Sequence, residues 1–239
     1  MVVCRDGSEE ILLKLLVFAA ALVPFAHLLW RGFNGDLTAD PLVEITNETG
    51  IWTLRFVVIT LAITPIRRAS GWNPVIRVRR MLGLFAFFYG MLHFLTYLVG
   101  DRFASLDFPD GFVAWSTLVN LLASIWEDVA KRPYITVGFI AFVSMIPLAL
   151  TSTAGWIRRL GGRNWQRLHR LIYLTGIAGV THYWWRVKAD TLHPAIYAGI
   201  IALLLGYRLA LSIKRRKGSR VPSSGSRFEV APGTPSASE

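Results

Sequence analysis

The sequence predicts an all-α, polytopic membrane protein with six transmembrane helices, and three observations carry that reading. Of 239 residues, 53% are hydrophobic and only 17% charged. The mean hydropathy is +0.44, a combination typical of chains solvated by lipid. The apolar residues gather in six runs, each near the ~20 residues that a spanning helix needs. The connections between the runs alternate in charge, acidic then basic, as topogenic signals do. The net charge of +11 sits in short clusters between apolar runs rather than on one soluble face, which argues against nucleic acid. Nine tryptophans suit the aromatic belts of membrane interfaces. Cys4 is the only cysteine, so disulfides within the chain and cysteine-ligated clusters are excluded.

The runs are Ile11 to Trp30, Gly50 to Ile66, Met81 to Gly100, Tyr134 to Gly155, Leu168 to Val187 and Pro194 to Ile213. The first lacks a small-residue cleavage site and reads as a retained helix. Arg55 lies one turn inside the second, where it snorkels or meets a buried anion. Pro24 and Pro147 fall inside runs, which lipid-embedded helices tolerate. The first connection carries Asp36, Asp40, Glu44 and Glu48 against Arg31, and the second Arg67, Arg68, Arg77, Arg79 and Arg80 with no acid. The third is mixed and acid-rich. The fourth holds Arg158, Arg159, Arg163 and Arg167, and the last run is followed by Lys214, Arg215, Arg216 and Lys217. The positive-inside rule then places the arginine loops and both termini in the cytoplasm. The long third connection includes Trp115 to Trp126, which reads as an interfacial helix or as a docking surface for an outer partner. Three parts are expected: residues 1–10 as an N-terminus, 11–213 as the membrane bundle, and 214–239 as a basic tail rich in Ser, Pro and Gly from Gly218 on.

Histidines inside apolar runs supply the chemistry. Ionisable groups at bilayer depth are costly and usually functional, and imidazole is a common axial ligand of haem iron. The third and fifth runs point the same way across the membrane. His93 lies 13 residues beyond Arg80 and His182 lies 13 beyond His169. Both are therefore roughly 20 Å past the basic ends of their helices, at ~1.5 Å per residue. Equal depth is what two axial ligands of one haem b need. A six-coordinate site in the outer half of the bilayer would suit electron transfer, having no open position for substrate. His27 and His193 lie near run ends and read as interfacial.

His169 lies near the inner surface. A second haem there would want a partner about 13 residues before His93, where the chain has Arg80. The surrounding arginines suit a phosphate-bearing cofactor such as a flavin nucleotide, although topology alone also explains them. His169 and His182 would be roughly 140° apart on one ideal helix, a mismatch that a distortion at Gly176 or Gly179 would absorb.

The stretches RVRRMLGLFAFFYGMLHFLTYL, KRPYITVGFIAFVSMIPLALTST and IRRLGGRNWQRLHRLIYL resemble the MsrQ family (also called YedZ), part of the ferric reductase-like transmembrane group. The resemblance covers roughly Leu22 to Arg208. It implies a six-helix core with histidine-ligated haem b and FMN. It also implies electron delivery from a cytoplasmic flavin reductase or the quinone pool to a periplasmic MsrP-like molybdopterin enzyme, which reduces methionine sulfoxide in oxidised proteins. This chain would then be an electron-transfer subunit in the bacterial inner membrane, with sulfoxide chemistry left to its partner. The family histidines correspond to His93, His182 and His169, the first two as haem ligands and the third as an alternative ligand or part of the flavin environment. Arg77, Arg79, Arg80, Arg158, Arg159 and Arg163 become candidates for phosphate or propionate contacts. The chain departs from the wider group by lacking the second histidine on its third helix and a soluble FAD or NAD(P)H domain after the last run. A stand-alone transmembrane ferric or quinone-linked reductase is the competing expectation.

Overall fold

The computed structural model describes residues 5–103, 115–187 and 189–218. Among these residues it contains α-helices, one π-helical extension and no strand. The expected tail beyond residue 218 and the loop at 104–114 lie outside the described residues, as does Cys4. The helices are α1 (Arg5–Asn34), α2 (Pro41–Ser70), α3 (Val75–Thr96), α4 (Trp115–Lys131), α5 (Pro133–Leu150), α6 (Ala154–Leu168), α7 (Leu171–Arg186) and α8 (Leu192–Gly218). Five are long and apolar enough to cross a membrane: α1, α2, α3, α5 and α8. The sixth expected span corresponds to α7, only 16 residues long, or about 24 Å at ~1.5 Å per residue. It is short of the bilayer's ~30 Å apolar thickness, and it lies chiefly against α5.

α2 starts nine residues before the apolar run that announced it, because the helix continues through the acidic segment. Asp40 caps it by accepting from the Val43 amide at 3.1 Å, and Pro41 occupies its first turn, where a missing N–H costs nothing. Gly71 ends it in the left-handed conformation, φ 70°, with its N–H on Arg67 O. Thirty residues make ~45 Å of helix, so the Glu44 end extends beyond the apolar slab. There Arg31 pairs with Glu44 at 2.5 Å.

The bundle is built on the α2–α3 and α5–α7 pairs. Lipid removes the usual hydrophobic drive between helices, leaving close packing and polar bridges. Gly176 of α7 lies against Leu61 and Val57 of α2, while Ser144 of α5 and Thr175 of α7 share a 2.6 Å hydrogen bond. Thr46 and Thr96 bridge α2 to α3 at 3.1 Å. The outward faces of α1 and α8 expose leucines such as Leu15, Leu16 and Leu203, as a lipid-facing surface requires.

α1 joins this core through a repair of its own kink. Pro24 disrupts the local helix ladder, and Tyr89 of α3, 1% exposed, enters the gap. Its hydroxyl donates to Ala21 O at 2.8 Å and accepts from the Phe25 amide at 3.1 Å. Tyr89→Phe therefore removes both hydrogen bonds. The expected loss is about 0.5–1.5 kcal/mol per bond, read as an earlier unfolding transition in detergent while the haem absorbance of the folded fraction is unchanged.

On the side with the acidic connections, a π-helical turn, Tyr97–Phe103, extends α3. Tyr97 donates to the buried Asp128 of α4 at 2.7 Å, and Arg132 meets the same carboxylate at 3.3 Å. These contacts fix α4 across the bundle end. Trp115, Val119, Leu122 and Trp126, spaced along one face, point away from it and are exposed, so this stretch is a helix with one exposed apolar face.

At the opposite end, the arginine-rich connection expected as a loop is the amphipathic α6. Thr153 caps it, and Gly161 at φ 72°, ψ 149° kinks it. The helix stops at His169 and restarts at Leu171. This break makes an ideal-helix phase between His169 and His182 inapplicable. Gly176 and Gly179 are not the point of distortion: both lie within α7, facing α2 side chains.

Candidate functional site

His93 on α3 and His182 on α7 meet across the bundle, as equal depth requires. Their ring centroids are 6.0 Å apart and their planes 79° apart. His93 Nδ1 is 2.9 Å from Thr46 O of α2, and His182 Nδ1 is 2.7 Å from Tyr134 O of α5. A carbonyl only accepts, so Nδ1 of each ring is the protonated nitrogen and Nε2 keeps its lone pair. That is the tautomer and outer hydrogen bond of a metal-binding histidine.

The two anchors repeat one construction. Thr46 precedes Gly50 by four residues, and Tyr134 precedes Gly138 by four. In a helix each carbonyl already accepts from the amide four residues on, and the Cβ of that later residue leans back over it. Glycine removes the obstruction and exposes the oxygen's second lone pair. A Cβ on Gly50 would lie 3.0 Å from His93 Nδ1, and one on Gly138 would lie 2.6 Å from His182 Nδ1. The two glycines make room for the two imidazoles.

Both rings border a cavity of about 780 Å³, within the ~300–1,000 Å³ range of ligand and cofactor pockets. Leu54, Phe94, Phe142 and Met145 give it apolar walls, while Arg186 and Asp190 stand on its lining. Arg186 is within electrostatic reach of both imidazoles. Asp190, outside the helices, is held below the usual carboxylate range by the His193 ring and by the Leu192 amide. Among the described residues no three His, Cys, Asp or Glu side chains gather to hold a bare ion. Two imidazoles instead suit an iron whose other ligands come from a macrocycle. The donor set, tautomers, cavity size and apolar walls all fit haem.

His169 stands apart, at the end of α6. Its Nδ1 faces Trp165 O at 3.1 Å and its ring stacks on Trp165 at 3.8 Å, while among the described residues its buried Nε2 meets no hydrogen-bond partner of good geometry. The cation near it is Arg79, one residue from the position that spacing alone selected. The other predicted arginines disperse. Arg77 pairs with Glu10 of α1. Arg158 and Arg159 line an open recess of about 470 Å³ with Trp156, over which Arg159 lies. Arg80 and Arg163 are exposed. The six arginines thus do not form one cluster.

Residues 49–180 match the family described as ferric reductase like transmembrane component. A haem-binding subunit MsrQ of protein-methionine-sulfoxide reductase from Xanthomonas euvesicatoria pv. vesicatoria is 48% identical, over 89% of this chain and 93% of its own length. This chain belongs to the MsrQ family. The MsrQ protein of Ralstonia nicotianae is 51% identical over 82% of this chain and 84% of its own, and that of Xanthomonas oryzae pv. oryzae strain MAFF 311018 is 47% identical over 90% and 95%. No solved structure matches significantly. The transmembrane match includes Gly50, His93, Gly138 and His169 and ends two residues before His182. Within this MsrQ chain, Gly50, Gly138 and Arg186 were not singled out from the sequence. The only signal for the glycines, a small residue in an apolar run, is shared by others that merely pack.

Proposed function

We propose that this chain is the membrane electron-transfer subunit of a methionine sulfoxide reductase system. It would hold haem b between His93 and His182 and FMN at the arginine-rich end, and deliver electrons to a periplasmic MsrP-like molybdopterin reductase. The observation that carries the proposal is the pair of imidazoles, both presenting Nε2, across a haem-sized cavity. The haem-binding names of the relatives support it. Bound there, haem would supply one-electron transfer.

The chain's residues prepare that chemistry. Thr46 O and Tyr134 O hold the proton on each Nδ1 and orient the rings. Phe94, Phe142 and Met145 exclude water. Arg186 offers a cation to the carboxylates of a porphyrin. Sulfoxide reduction falls to the partner. The donor is a cytoplasmic flavin reductase or the quinone pool, and the bundle at 11–213 lies in the inner membrane with both termini cytoplasmic, by the charge of its connections.

The test is a reduced-minus-oxidised spectrum of protein purified from haem-sufficient cells, with flavin assayed in the same sample. A b-type signal with FMN is expected, and deletion of the gene should abolish periplasmic methionine sulfoxide repair while sparing ferric reduction. About two haems per chain without flavin would keep the relay and overturn its FMN. Absence of a Soret band would end the proposal.

A further inference from the structure

We propose that the seam between α2 and α8, at the acidic end of the bundle, binds the headgroup of one phospholipid of the phosphoethanolamine type. Arg55 and Tyr197 take its phosphate, and Glu48 takes its ammonium. The site is independent of the haem reading and of any redox partner.

Arg55 carries the argument. It lies five residues inside the apolar run that begins at Gly50, half-buried on a membrane-spanning helix. A charge at that depth has to reach a counter-ion or the interface. Its two contacts are neutral. Nε donates to Tyr197 Oη of α8 at 3.2 Å, and the guanidinium lies 4.5 Å from the centre of the Trp52 ring. Among the described residues, neither Nη has a hydrogen-bond partner and no carboxylate pairs with the group. Tyr197 Oη accepts from Arg55 and donates to none of the described residues, so its proton is available too.

The direction of the side chain fixes where these donors point. Each Cβ on a helix leans toward the N-terminus, which for α2 is the acidic end. The contact with Trp52, three residues earlier, shows that Arg55 follows this lean. The guanidinium is thereby carried about one turn toward the interface, beside a ring of the kind that sits at headgroup level. The surroundings face lipid. Ile59, one turn deeper on α2, and Ile196 and Ile200, beside Tyr197 on α8, are exposed. They form the wall against which acyl chains lie.

A phosphate at this level completes the site, because its oxygens accept from a guanidinium fork and a phenol together. Glu48 then sets the class of headgroup. It precedes Arg55 by seven residues, two turns and ~10 Å along the same face. It is exposed and has no ion-pair partner among the described residues. Arg55 already reaches back over the turn at Trp52, so only about one further turn separates it from the position of Glu48. A phosphate followed by a primary ammonium offers the opposite charges in the same order. A glycerol headgroup has no cation for Glu48 and leaves the carboxylate facing the phosphate.

The test uses the full-length, haem-loaded protein in nanodiscs of equal parts phosphatidylethanolamine and phosphatidylglycerol, with native mass spectrometry of the lipid retained after release into detergent. The wild type should retain phosphatidylethanolamine at least fivefold over phosphatidylglycerol. Arg55→Gln should lower the retained phosphatidylethanolamine at least tenfold. Glu48→Gln should still retain lipid and lose the preference. Equal retention of the two lipids by the wild type overturns the site, as does wild-type retention in Arg55→Gln or an unchanged preference in Glu48→Gln.

Arg55→Gln also removes the bond from α2 to Tyr197. Glu48→Gln breaks no contact and so carries the decision if Arg55→Gln fails to fold. Neither Arg55 nor Glu48 lines the cavity beside the two imidazoles, so the haem spectrum of Glu48→Gln should match the wild type. Lost preference with that spectrum intact supports the site, whereas preference lost only together with haem marks a general loosening of the fold and overturns it.

Discussion

His93→Ala and His182→Ala each abolish the bis-imidazole haem spectrum. The structure supplies one protein donor from each side of the cavity, and the alternative ligand His169 is not among its lining residues. His169 is at the break between α6 and α7, roughly 20 Å of helix from His182. Loss of an outer partner to a metal ligand typically costs ~10–100-fold in affinity, and loss of the ligand itself should cost more. The expected haem content after purification is therefore near zero in both variants. His169→Ala and changes at Arg158, Arg159 or Arg163 should leave the spectrum intact. A normal bis-imidazole spectrum in either ligand variant would refute the pairing.

Gly138→Ala should nearly match a ligand deletion, although it removes no functional group. The added methyl would lie 2.6 Å from His182 Nδ1 and 2.8 Å from Cε1. A half-buried imidazole tied to Tyr134 O cannot yield without giving up that bond or its aim. Loss of the orienting contact is worth ~10–100-fold in affinity, and displacement of Nε2 adds to it. Gly50→Ala meets His93 Nδ1 at 3.0 Å, so a small shift accommodates it and its effect should be smaller. Gly206→Ala, in open space, is the control. Haem occupancy per folded protein should fall in the order Gly206→Ala, Gly50→Ala, Gly138→Ala, and full occupancy in Gly138→Ala would show that the glycine is not needed to seat the ring.

These variants also show what was legible in the sequence. His93 and His182 stood out because imidazole is conspicuous in an apolar run, and equal helical rise was enough to match their depth. The alternation of basic and acidic connections followed from charge alone. The glycines carry no such mark. Their importance depends on which helix lies opposite and in what register, and Gly50 and Gly138 become special only once α2 is set against His93 and α5 against His182. The arginines misled for a related reason. Topology places many near one membrane face, and spacing cannot separate Arg77, taken up by Glu10, from Arg79, which is half-buried. The helical break at His169 was hidden too, because Leu168 to Val187 is continuous in hydropathy while its backbone is not.

The anchoring of both imidazoles by main-chain oxygens has a consequence for how the centre responds to its medium. A carboxylate in the same place would draw each ring toward imidazolate and would pass through its own protonation equilibrium as acidity changed, altering the iron's electron density with it. Thr46 O and Tyr134 O are neutral dipoles that gain and lose no protons. Their pull on Nδ1–H is the same in acid and in base, and no side-chain substitution at either residue deletes it. The pair is thereby buffered twice, against the pH of the compartment that its outer face meets and against point mutation of the residues that steady it.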